Sequence, residues 1–190
     1  DWREYELESL VESLNNDDGE FVSYPLLDVT VVYEGDRAQN NFLALNESTV
    51  QTTGGTLVSD VFINEVHFER FRGDGLCVST PTGSTGYSKS VGGAVLHPRI
   101  EALQLSEIAS INNRVYRTLS SPLVIAKDEE IIIRSSESNE LLITLDHITT
   151  REPDVKEVHF KIADESIRFA RYRHLNFWDR VSESFIGEKN

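Results

Sequence analysis

Apolar residues recur at helical spacing near the start of the chain. Tyr5, Leu7, Leu10, Val11 and Leu14, with acids between them, predict an amphipathic helix over about residues 2–14. Asn15-Asn16-Asp17-Asp18-Gly19 then supplies a stop and a turn. From Phe21 onward the pattern shortens to strands. Leu26–Tyr33 alternates partly and is rich in β-branched residues. Phe42–Val50 reads as a second strand whose apolar run is interrupted at Asn46-Glu47, with Gly54-Gly55 as its break. Leu57–Ile63 and Val66–Phe71 read as a hairpin about Asn64-Glu65. Phe68 and Phe71 cannot share a face by strict alternation, which predicts a bulge or an early strand end.

Arg72-Gly73-Asp74-Gly75 is a tight connection into a short strand, Leu76–Ser79. A loop of small residues and a short helix over about 84–91 follow, ended by Gly92-Gly93. His97-Pro98 opens an irregular stretch. Strands are then expected at 123–125, 130–134, 141–145, 155–162 and 166–172, with turns at Asp128-Glu129, Ser138-Asn139 and Asp164-Glu165. Phe177–Phe185 reads as a closing helix or a packed tail. Strands outnumber helices and do not alternate with them, so a doubly wound parallel sheet is disfavoured. The expected fold is mainly β (α+β), in two layers with a few short helices.

Composition narrows the classes. At 190 residues, 39% hydrophobic and 26% charged, the chain suits one globular domain, or one plus a terminal fragment of another. No run approaches the roughly 18 apolar residues of a membrane helix. Eighteen basic residues against thirty-two acids give a formal net charge of −14, which argues against nucleic acid and anionic membranes as partners. An anionic ligand must then be held by local donors. The one cysteine, Cys77, favours a reducing, cytoplasmic setting and reads as a small buried residue. The absence of methionine is read as a trimmed or processed chain.

Three segments could carry chemistry. Thr80–Thr85, between a strand and a helix, lets a ligand approach the backbone and offers hydroxyl and N–H donors. It lacks the spacing of a P-loop and of a nucleophile elbow. On chemistry alone it reads equally as a ligand cradle or as a helix cap with a shaped turn. Asn46-Glu47 can hold a ribose diol or an exocyclic amine, or be two solvated groups at a bulge. Asp74 between glycines is ordinary turn chemistry. Of the histidines, none has metal-ligand spacing; His67 and His159 read as surface or packing residues, and Asp146-His147 at a strand end is the better candidate for a ligand contact.

Together, Leu43-Ala44-Leu45-Asn46-Glu47, Arg72-Gly73-Asp74-Gly75 and Ser79-Thr80-Pro81-Thr82-Gly83-Ser84-Thr85-Gly86-Tyr87 resemble the NE segment, the GDG turn and the TPTGSTAY loop of bacterial NAD kinases. Asn112-Asn113-Arg114 and Arg117-Thr118-Leu119 fit the same order. Gly86 stands where alanine is common. The resemblance implies phosphoryl transfer from ATP or polyphosphate, with a divalent ion such as magnesium, to the adenosine-ribose 2′-hydroxyl of NAD, giving NADP. It places Asn46 and Glu47 at the adenosine end. Thr85, Gly86 and Ser90 would line the adenine pocket beside Tyr87, with Ser88 and Lys89 in the same segment. Arg72, Asp74 and Ala109 would lie near the nicotinamide end, and Tyr116, Asp146 and His147 are further contacts. It also implies a homodimer or homotetramer whose sites are shared between subunits.

The family's GGDG aspartate, taken as the base on the 2′-hydroxyl, has no counterpart in these residues. The resulting expectation is a remnant helix over 1–19 and an NAD-binding and oligomerisation domain over 20–190, without turnover of its own. Two rival readings stand beside it: a non-enzymatic NAD(P)-binding and assembly module, and a lipid kinase relative, which the polar Asn46, Glu47 and Asp74 fit less well.

Overall fold

A computed structural model describes residues 6–16, 21–136, 140–170 and 176–187 of the chain. The expected start of the first helix, the turns at Asp17-Asp18-Gly19 and Ser138-Asn139, the strand end at Arg171-Tyr172 and His174 lie outside the described residues. Two compact units are present. Residues 25–166 form one, and the residues up to 24 together with those from 167 form the other.

The larger unit carries two six-stranded sheets. The strands are β1 (Phe21–Tyr33), β2 (Asn40–Ala44), β3 (Glu47–Thr52), β4 (Leu57–Ile63), β5 (Val66–Gly73), β6 (Gly75–Ser79), β7 (Ala102–Ile108), β8 (Leu123–Ala126), β9 (Ile131–Ser135), β10 (Leu141–Leu145), β11 (Ile148–Glu152) and β12 (Val155–Ala170). The first sheet runs β2-β1-β12-β9-β4-β5 and the second β11-β10-β3-β6-β7-β8. β1 and β12 extend from the larger unit into the smaller. The smaller unit also holds α1 (Leu7–Asn15) and α3 (Phe177–Phe185), the latter capped by the Asn176 side chain, which accepts from the Trp178 N–H.

Alternation explains the core. Leu27, Val29 and Val31 of β1, Ile131 and Ile133 of β9, and Val158 and Phe160 of β12 point inward from the first sheet. Val50, Leu76, Val78, Leu103, Leu105, Leu141 and Ile143 meet them from the second. The mainly β, two-layer expectation therefore holds. The hairpin holds as well: β4 and β5 pair about Asn64-Glu65, and the register skips Phe68 between Val61↔Glu69 and Phe62↔His67. That skipped residue is the expected bulge.

Four readings are corrected. Phe42–Val50 is two strands in different sheets, because the chain changes layer at Leu45-Asn46. The strands expected at 155–162 and 166–172 are one: β12 runs on through Asp164 and Glu165, whose exposed side chains need no turn to reach water. The irregular stretch after His97-Pro98 contains β7, which is buried on both faces and so shows no apolar–polar alternation. β11 follows β10 after only two residues, with Asp146 at φ 53.

Phe160 is fully buried between the layers. Phe160→Ala is expected to lower the unfolding free energy by about 3–5 kcal/mol. Urea unfolding followed by circular dichroism measures this, and a loss below about 1 kcal/mol would place Phe160 outside the core.

Candidate functional site

β6 lies between two places where the chain changes sheets. At one, Leu45-Asn46 carries the chain from β2 to β3; at the other, Asp74 alone joins β5 to β6. Because β3 and β6 are antiparallel with Glu47 opposite Ser79 and Gln51 opposite Gly75, the two corners sit at opposite ends of β6. Strand rise puts them roughly 17 Å apart. Between them the outward residues of β6 are small: Gly75, Cys77 and Ser79. Thr49 and Ser106 flank Cys77 on β3 and β7.

The first corner is gripped from two sides. The Asp146 carboxylate accepts N–H bonds from Leu45 at 2.9 Å, Asn46 at 2.7 Å and Glu47 at 3.2 Å. The Asp146 N–H returns a bond to the Glu47 carbonyl at 2.9 Å. From the other side, the Thr80 hydroxyl donates to the Leu45 carbonyl at 2.7 Å and its N–H to the Asn46 carbonyl at 2.8 Å. Gly83 then presses on Asn46: a Cβ there would lie 2.1 Å from the Asn46 carbonyl oxygen.

The segment after Thr80 lies over the outer face of the second sheet. It forms a single 3₁₀ turn, Gly83–Thr85, and a short helix α2, Tyr87–Ser90, with Gly86 between them. The buried Ser84 hydroxyl donates to the Pro81 carbonyl and accepts from the Leu96 N–H. The buried Gln104 amide reaches up from β7, donating to the Ser88 hydroxyl at 2.9 Å and accepting from the Ala94 N–H at 2.8 Å. Ser90 donates to the Tyr87 carbonyl.

At the second corner, the Asp74 N–H donates to the Ile108 carbonyl at 3.0 Å. Ala109, at φ 48, packs so closely that a Cβ on Gly73 would lie 2.9 Å from its carbonyl oxygen. The Arg72 guanidinium lies 4.5 Å over the Tyr116 ring. Tyr116 belongs to a loop shaped by Asn112 and Asn113, whose side chains bond Ser110, Thr118 and Ser120 and the N–H groups of Val115, Tyr116 and Thr118.

Electrostatically the first corner is unusual. Glu47 Oε2 is buried and accepts no hydrogen bond among the described residues. Burial, and then the neighbouring Asp146 carboxylate, push the Glu47 carboxyl up to about 7. Burial and Glu47 push the Cys77 thiol up to about 12, so it is no thiolate nucleophile. Burial, then Cys77 and Asp74, raise the Tyr87 hydroxyl, which ties Tyr87 to both. The Asn46 side-chain amide makes no hydrogen bond among the described residues. No group of three His, Cys, Asp or Glu among them is placed to hold a metal ion.

The structure thus brings Asn46, Glu47 and Gly86 together at one end and Arg72, Asp74, Ala109 and Tyr116 at the other, with Tyr87 near Cys77 and Asp74. Thr85 and Ser90 lie on the covering segment, with Lys89 exposed on it. Ser88 is fully buried and serves Gln104, Asp146 serves the backbone of 45–47, and His147 is exposed on the turn beyond it. Thr80, Ser84 and Gln104 organise the site and were not singled out for that role; only burial in the fold distinguishes them. His159 sits elsewhere, on the first sheet, between Glu130 and Glu157 at 3.1 and 3.0 Å.

A family model described as the ATP-NAD kinase C-terminal domain matches residues 45–172. The chain is 54% identical over 190 residues to the NAD kinase of Latilactobacillus sakei, covering all of this chain and 71% of that protein. Among solved structures it resembles a yeast NADH kinase complexed with NADH, at TM-score 0.79 and 21% identity over 96% of this chain and 53% of that one. It also resembles an NAD kinase from Archaeoglobus fulgidus in complex with ATP, at TM-score 0.66 and 23% identity over 89% of this chain and 60% of that one. These two likenesses concern the fold.

Gly83 and Gly86 separate packing from chemistry. An added Cβ at Gly86 meets the Glu47 carboxylate and the Gly83 carbonyl at 3.3 Å, a mild crowding, whereas at Gly83 it collides with backbone. Gly83→Ala should therefore lose about 2 kcal/mol or more of stability beyond Gly86→Ala. Thermal unfolding of the two variants measures this, and equal losses would contradict the close approach of the 3₁₀ turn to Asn46.

Proposed function

The chain belongs to the ATP-NAD kinase family as its C-terminal domain, and on that premise we propose that it holds NAD along β6 for phosphorylation of the adenosine-ribose 2′-hydroxyl. The observation that carries this reading is the pairing of the Asn46 amide, unbonded among the described residues, with the orphaned Glu47 Oε2 beside Gly86. A buried acceptor beside a free amide matches a partner that brings its own donors and acceptors, such as a ribose diol or an adenine edge. The Asp74 corner, about one dinucleotide length away, takes the nicotinamide end, with Arg72, Ala109 and Tyr116 around it. Thr85, Ser88, Lys89 and Ser90 form the covering segment, and Asp146 and His147 the turn beside Asn46.

ATP is the proposed phosphoryl donor, with polyphosphate as the variant. Magnesium would supply charge neutralisation on the donor's phosphates. Since the described residues offer no cluster to hold it, no step is assigned to a metal on this chain. The carboxylate that orients the 2′-hydroxyl is placed outside these residues. Copies of the chain are proposed to associate and complete each other's sites, in the cytoplasm. No helix among the described residues is long and apolar enough to cross a membrane.

Asn46→Ala should weaken NAD binding by about 1–3 kcal/mol, because its partner on the ligand is left unpaired. Isothermal titration of the chain with NAD measures this; unchanged affinity removes Asn46 from the site. With NAD, ATP and magnesium, this chain should bind NAD and form no NADP. Turnover would place the activating group within these residues, and absence of NAD binding would sink the reading.

A further inference from the structure

Asp146 is aimed at the chain's own backbone. It leaves β10 at φ 53, a conformation that an aspartate tolerates better than most residues, and turns its carboxylate toward the sheet crossing. There it accepts three consecutive N–H groups, those of Leu45, Asn46 and Glu47, within 3.2 Å. Both carboxylate oxygens are used: Oδ2 by Leu45, Oδ1 by Asn46 and Glu47. Leu45 and Asn46 belong to neither β2 nor β3, so no strand ladder satisfies their N–H groups, and Glu47 is the first residue of β3. From this geometry we propose that Asp146 is a positioning residue: it acts on the bound ligand through Asn46 and Glu47, by fixing the backbone from which both project and by setting an anion against the Glu47 carboxyl.

This rests on the reading that Asn46 and Glu47 meet NAD. Its electrostatic half is independent of any ligand. Facing Glu47 are Asp146 from the β10–β11 turn and the Cys77 thiol from β6, with Tyr87 of α2 beside Cys77 and Asp74 beyond. The near groups are acids or neutral, so removing the Asp146 charge relieves Glu47 rather than exposing it to a new anion. Burial remains, and it alone keeps the Glu47 carboxyl above the ordinary range. Asn is the informative replacement. Its amide oxygen keeps the bonds from Asn46 and Glu47 but turns an N–H₂ toward the Leu45 N–H, and it carries no charge. Thr80 still holds the corner from the other side.

The test is carried out on the 190-residue chain. The carboxyl ¹³C shift of Glu47 is followed against pH by NMR in the parent, in Asp146→Asn and in Asp146→Ala, and NAD affinity is measured in the same samples. The parent should titrate with a midpoint near 7, and both variants should move it to lower pH. NAD affinity should fall at least about tenfold in Asp146→Ala, the equivalent of one strong contact, and less in Asp146→Asn. A Glu47 midpoint unmoved by Asp146→Asn overturns the proposal, as does full NAD affinity in Asp146→Ala. Failure of the parent to bind NAD overturns the functional reading instead, while the Glu47 midpoint in Asp146→Asn still decides the role of Asp146. Should Asp146→Ala not fold, that midpoint decides it in the same way.

Discussion

Three backbone N–H groups at Leu45, Asn46 and Glu47 have to be satisfied where the chain leaves one sheet for the other, and the rest of the site depends on how this is done. A buried donor without an acceptor costs about as much as a lost hydrogen bond, so a layer crossing requires a partner from elsewhere. Asp146 provides it from about a hundred residues further along the chain, and Thr80 secures the carbonyls on the other side. With the backbone bonded on both sides, the Asn46 and Glu47 side chains have no structural duty there. On the proposed reading they are left for a ligand, and Glu47 Oε2 has no hydrogen-bond partner among the described residues.

The second crossing, at Asp74, is built differently. A single residue spans the layers, and Gly73 permits the approach of Ala109 and Ser110 that braces it. Between the corners, β6 presents only small residues outward, while Gln104 ties the covering segment to β7 and Ser84 braces it internally. The site proposed is therefore elongated and two-ended, built of polar groups, with no metal cluster among the described residues. That suits a binding surface for a dinucleotide. It also agrees with the global charge of −14, which obliges a phosphate-bearing ligand to rely on local donors.

The sequence carried the layers and the site unequally. Alternating strands such as Leu26–Tyr33 and the Asn64-Glu65 hairpin, bulge included, were legible because one face is wet and one is dry. β7 was not, since the covering segment buries Gln104 and Ser106 and erases the alternation. The Asn46-Glu47 interruption was visible as a break in apolar character. Its meaning, a change of sheet, was hidden because local pattern does not say which strands pair. The small-residue loop by itself reads equally as cap or cradle, and the neighbouring motifs carry its resemblance to a ligand loop. In the structure the Thr80 and Ser84 hydroxyls bond inward to carbonyls, and Gly86 lies beside the acceptor at Glu47. Asp146 reads from sequence as a candidate ligand contact at a strand end; its bonds to the backbone of 45–47 leave no trace there, because that partner lies about a hundred residues away.

The central claim is that the two sheet crossings at the ends of β6 form one ligand site. Titration of ¹⁵N-labelled chain with NAD, followed by amide shifts, tests it most directly. Perturbations should fall at residues 45–47, 72–75, 83–90 and 109, and leave the His159, Glu130 and Glu157 cluster of the first sheet unmoved. Perturbations centred on that cluster, or silence at 45–47 under saturating NAD, would contradict it.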